Sequence, residues 1–116
     1  MLVQILQLIV AFTVVLFGLV SLFAPVQLGK AVGLTGDDKG VAELRIGWGG
    51  LYVAMGAGAL LLGTPAVYQL VGLMFGAMGI TRLAHILLGK VKADGMYWGI
   101  LGYELVVLVI GFLPTN

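Results

Sequence analysis

The sequence predicts an all-α integral membrane protein, a single domain over residues 1–116 built as an up-and-down bundle of four transmembrane helices. Three observations lead there. Hydrophobic residues make up 61% of the chain and charged residues 9%, against roughly 45–50% and about 25% in a soluble domain. The apolar residues gather into four runs, each close to the ~20 residues that cross about 30 Å of hydrocarbon. Between the runs stand turn residues and four lysines.

The first span is predicted over Leu2 to Phe23, with Gln4, Gln7, Thr13 and Ser21 as its clearly polar side chains. It has neither a basic leader nor a small-residue cleavage motif, so it reads as a retained helix rather than a signal peptide. Pro25 ends it, because the residue before a proline is biased away from the helical region. The longest loop, Val26 to Gly40, carries Lys30, Asp37, Asp38 and Lys39. Thr35-Gly36-Asp37-Asp38 is turn chemistry, and Asp37 or Asp38 is the expected cap of the next helix. Part of Val26 to Leu34 forms either an interfacial helix or an irregular loop, and the stretch is too short to decide.

The second span is predicted from Val41 to Leu62. Gly63-Thr64-Pro65 makes a tight turn, with Pro65 suited to the first turn of the third span, Pro65 to Leu88. Gly89 to Asp94 is a basic loop, and Gly95 to Leu113 is the fourth span. The lysines fall two in each of the loops that share one side, and the opposite side has neither Lys nor Arg. The positive-inside rule therefore predicts cytoplasmic Lys30/Lys39 and Lys90/Lys92 loops in a bacterial inner membrane, with both termini outside.

Ionisable residues inside such spans are costly and default to the protein interior or a wet cavity. Arg45, Arg82 and Glu104 lie roughly 7, 10 and 14 Å in from the same side at helical rise, with Glu43 and His85 shallower. This polar set is the candidate site. Glu104 has a short side chain and must be protonated, paired or wet; Arg82, across a short loop, is the expected partner. A plain structural ion pair and a substrate or proton path are both open readings. Glu43, Arg45 and His85 can also reach the interface as anchors.

In α-helical spacing Arg45, Trp48 and Tyr52 share one face, as do Tyr97 and Glu104. Tyr97 and Trp98 also sit where an interfacial aromatic belt lies. The chain has 19 glycines. Gly50, Ala54 and Gly58 recur every fourth residue, and Gly72, Gly76 and Gly79 line a stripe of the third span. Small stripes of this kind pack helices closely, within the bundle or against another chain.

One histidine and no cysteine give no basis for a zinc or haem site, and no cofactor is expected. No Ser-His-Asp combination points to a hydrolase, and Gly47-Trp48-Gly49-Gly50 lacks the strand–helix setting of a phosphate loop. Nothing marks a nucleic-acid partner at a net charge of +1.

The run Glu43-Leu-Arg45-Ile-Gly-Trp-Gly49-Gly50-Leu-Tyr52-Val-Ala-Met-Gly56 resembles the central motif of the domain of unknown function 4345 family, small four-helix bacterial membrane proteins. Phe23-Ala-Pro25, Gly79-Ile-Thr-Arg82 and Asp94-Gly95 before Glu104 extend the resemblance over nearly the whole chain. It implies the four-helix architecture and a polar set of Glu43, Arg45, Arg82 and Glu104, and it carries no established reaction. His85 has no counterpart in the family pattern. The leading expectation is a non-enzymatic accessory or scaffold subunit packing against a membrane protein or a second copy. A small-molecule or proton-coupled carrier using Arg45, Arg82 and Glu104 comes next, and a lipid- or quinone-modifying enzyme third.

Overall fold

The computed structural model describes residues 1–34 and 36–115. Thr35 of the expected turn and the terminal Asn116 lie outside the described residues. Those described form helices and connecting turns, with no strand. Four helices are long and apolar enough to cross a membrane: Leu2–Phe23, Asp38–Leu62, Pro65–Leu87 and Gly95–Phe112. The chain divides into two compact units, residues 8–63 and residues 1–7 with 64–116.

In the first unit, α1 (Leu2–Phe23) stops just before Ala24, which leaves helical geometry ahead of Pro25. Pro25 then opens α2 (Pro25–Val32), so helix is the outcome for the stretch left undecided above. Its proline occupies the first turn, where the missing N–H costs nothing. Gly33 closes it at φ 83°, a left-handed cap that favours glycine. Asp37 caps α3 (Asp38–Glu43), its Oδ1 accepting from the Gly40 amide at 3.0 Å. The second crossing therefore begins at Asp38, earlier than the apolar run alone predicts.

Leu44–Leu51 continues the same rod as a π-helix before α4 (Tyr52–Leu62). A π-helix bonds residues five apart, so it changes which side chains share a face. Arg45 and Gly50 are both exposed, as are Ile46 and Leu51. Trp48 instead turns inward, its ring parallel to Tyr52 at 6.3 Å, with both tilted against Phe17 at 5.5 and 5.9 Å. Of the predicted face of Arg45, Trp48 and Tyr52, the two rings stay together and Arg45 is exposed. The α-helical count of three from Arg45 to Trp48 does not hold where the backbone is wound more widely.

The π-helix and α4 run antiparallel to α1: Gly56 meets Ala11 and Val15, Gly18 meets Val53, and Gly49 meets Leu22. A Cβ on Gly56 would lie 2.7 Å from the Ala11 carbonyl oxygen, and one on Gly18 would lie 2.7 Å from the Val53 nitrogen. These are backbone-to-backbone approaches, the kind that small residues permit where lipid supplies no hydrophobic drive between helices.

Gly63 ends α4 and the first unit at φ 63°, and in the second unit Thr64 caps α5 (Pro65–Leu87). Gly89, at φ 71°, follows α5, where Lys90 N–H donates to the His85 carbonyl at 3.0 Å. Asp94 then caps α6 (Gly95–Phe112), its Oδ1 accepting from the Tyr97 amide at 2.9 Å. Tyr68, Val71, Gly72, Phe75, Gly76 and Gly79 form the buried stripe of α5 at alternating spacings of three and one, one helix face. Against them α6 sets Leu101, Glu104, Val107 and Gly111. The two helices are antiparallel: Gly72 meets Gly111, Gly76 meets Leu108, and Gly79 meets Leu105 and Glu104. Gln7 donates to the Ile110 carbonyl at 3.4 Å. The large apolar side chains Leu70, Leu73, Ile80, Val106 and Val109 point outward, more than half exposed, as lipid-facing positions require.

Candidate functional site

Glu104 falls on the buried stripe of α6, three residues from Leu101 and three from Val107, so helix geometry alone turns it into the hairpin. Its position, nine residues after Gly95, is about 14 Å along the helix and near the midplane. Arg82 comes from the opposite end of the paired helix, three residues beyond Gly79. Gly79 lets the Glu104 stem approach: a Cβ there would stand 3.3 Å from the Glu104 Cβ.

The two side chains meet in a forked pair. Arg82 Nε donates to Glu104 Oε1 at 2.7 Å, and Nη2 donates to Oε2 at 3.1 Å. Both carboxylate oxygens are thus engaged on a side chain only 3% exposed, while Arg82 keeps 17% exposure. The Arg82 guanidinium carbon also lies 4.7 Å from the centre of the Tyr97 ring, within cation–π range. Tyr97, expected on the Glu104 face or in the aromatic belt, therefore touches the pair through its arginine. No buried side-chain nitrogen or oxygen among the described residues is left without a partner.

Beside the pair lies an open cleft of about 410 Å³, lined by Ala77, Met78, Thr81, Arg82, His85 and Tyr97. His85 is exposed, and its Nδ1 sits 2.8 Å from the Thr81 carbonyl. A carbonyl only accepts, so in this contact that nitrogen carries the proton. The Thr81 hydroxyl donates to the Ala77 carbonyl at 2.8 Å.

Glu43 and Arg45 belong to the other unit, and both are exposed. Of the packing glycines expected there, Gly50 is exposed, with Arg45 O at 3.8 Å as the nearest atom to a built Cβ, and Gly58 has nothing within 4 Å among the described residues. Ala54 is exposed as well. The close approaches of that unit fall instead at Gly18, Gly49 and Gly56. The sequence reading missed Phe17, the ring that receives Trp48 and Tyr52, and Tyr103, edge-on to Phe75 at 5.8 Å. Aromatic residues inside spans were the available signal, but which rings meet depends on helix rotation. Among the described residues no group of three His, Cys, Asp or Glu side chains is placed to hold a metal ion.

The class of protein follows from the helices: four of them, apolar and of bilayer length, make this a small multi-pass membrane protein in contact with lipid. No family model, curated protein or solved structure matches the chain.

Proposed function

We propose that the protein is a non-enzymatic accessory or scaffold subunit that packs against another membrane helix through the outer face of its second crossing. The observation that carries this reading is the uncovered face of small residues. Gly50 and Ala54 are exposed, and Gly58 has nothing within 4 Å of a built Cβ among the described residues. The π-helix brings Arg45 onto the same side as Gly50, five residues on. Small-xxx-small faces admit a second backbone at close range in lipid, and Arg45 at its interfacial end offers a charged contact. The occupant is a membrane-protein partner or a second copy. Both termini lie outside the cytoplasm in this proposal, from the lysine bias of the loops. Membership of the domain of unknown function 4345 family is likewise proposed, on the motif from Glu43 to Gly56.

The test is association in mild detergent. Ala54→Leu and Gly58→Leu fill an open face, so they should abolish the associated species in native mass spectrometry without lowering thermal stability. Undiminished association in both variants, or a protein that is monomeric and alone from the start, would count against it.

A second reading, a proton-coupled carrier, is favoured by one observation: the partly exposed Arg82, with His85 and Tyr97, opens onto the cleft of α5 and α6. In that case Glu104 has to change its partner or its proton during a cycle.

A further inference from the structure

A second cavity of about 410 Å³ opens between α2, α3 and the start of the π-helix. Val26, Leu44 and Trp48 supply apolar wall, and Lys30 and Glu43 line the same space. Its polarity is graded. Lys30 on α2 and Glu43 at the end of α3 are exposed, whereas Trp48 lies further along the second crossing and is held by Phe17 and Tyr52. Among the described residues neither charge has an ion-pair partner within 4.0 Å. A cation and an anion thus face one amphipathic cavity without neutralising each other.

From this juxtaposition we propose that the cavity is a head-group site for a zwitterionic aminophospholipid of the surrounding bilayer. Lys30 takes the phosphate and Glu43 takes the ammonium. The glycerol and upper acyl carbons run along Val26, Leu44 and Trp48, and the tails leave into the membrane. Charge complementarity selects the lipid: an anionic head group satisfies Lys30 but sets its second polar end against the Glu43 carboxylate with no cation to offer. A quaternary head group presents a positive charge without N–H donors, so it forms the ion contact but not the hydrogen bond that strengthens it. A cavity of about 300–1,000 Å³, mostly apolar with a few placed polar groups, is the usual form of a small-molecule site. Both charged residues lie outside the Arg82–Glu104 pair and the small-residue face of α4, so this proposal stands or falls without them.

The experiment is native mass spectrometry of the protein released from nanodiscs made of equal parts phosphatidylethanolamine, phosphatidylcholine and phosphatidylglycerol. The expected result is one retained phosphatidylethanolamine, favoured over phosphatidylglycerol by about tenfold, the worth of one charge-assisted hydrogen bond. Glu43→Gln should erase that preference, and Lys30→Gln should lower retention of all three lipids. Both side chains are exposed, and the thermal transition of each variant shows whether it is folded. Equal retention of the three lipids, a preference for phosphatidylglycerol, no retained lipid, or a preference unmoved by Glu43→Gln in folded protein would overturn the proposal.

Discussion

Removing Arg82 should cost this protein more than neutralising Glu104, and the difference follows from where each side chain lies. Glu104 is 3% exposed, with both oxygens taken up by Arg82. Arg82→Ala deletes both donors and strands a carboxylate near the midplane, a loss of about 3–5 kcal/mol by analogy with buried pairs in soluble proteins. Glu104→Gln keeps the volume and one carbonyl acceptor for Arg82 Nε. Arg82 is also 17% exposed and opens onto the cleft, where water or lipid oxygen can reach it. One lost charge-assisted hydrogen bond, about 1.5–3 kcal/mol, is the expected cost. In the double variant Arg82→Ala/Glu104→Gln no charge is stranded, so the total should fall short of the sum by about 2 kcal/mol. Reversible unfolding in mixed micelles, read by far-ultraviolet circular dichroism, measures all three. Strict additivity, within about 0.5 kcal/mol, would refute the pairing argument.

Three further outcomes follow from the same structure. Gly56→Ala should destabilise the protein because its Cβ meets the Ala11 carbonyl oxygen at 2.7 Å, whereas Gly58→Ala, with open space around it, should gain up to about 1 kcal/mol in helix propensity; equal effects in the same unfolding assay would contradict the α1–α4 packing. Asp94→Ala should cost about 1 kcal/mol through loss of the cap on α6, measured as a change in unfolding free energy. A cysteine at Thr64 should react with an impermeant maleimide added outside intact cells, and one at Asp94 should not; labelling at Asp94 would reverse the proposed topology.

Much of this architecture is legible in the sequence because bilayer thickness sets the length of an apolar run. Caps and prolines then fix the ends: Pro25, Asp37, Pro65 and Asp94 each mark a boundary by a rule that acts within one turn. The Arg82–Glu104 pair was readable for a related reason, since depth along two helices joined by a short loop leaves few partners for a buried carboxylate. The π-helix was not readable. Its only local trace is Gly47, Gly49 and Gly50, and neither apolar length nor composition separates bonds five apart from bonds four apart. The α-helical count that joined Arg45 to Trp48 fails across that segment. Arg45 is exposed while Trp48 and Tyr52 stack on each other, and Gly49 and Gly56, rather than Gly50 and Gly58, meet α1.

The proposed role turns on whether the pair in α5 and α6 is a fixed crosslink or a working site, and Glu104→Gln separates the two. The decisive measurement is proton flux across proteoliposomes holding wild-type or Glu104→Gln protein, with a membrane-permeant cation as driving solute, alongside native mass spectrometry of the associated species. The scaffold account predicts no solute-dependent proton flux from either protein and association that survives the substitution. Solute-driven proton flux in the wild type, lost in folded Glu104→Gln, would contradict it.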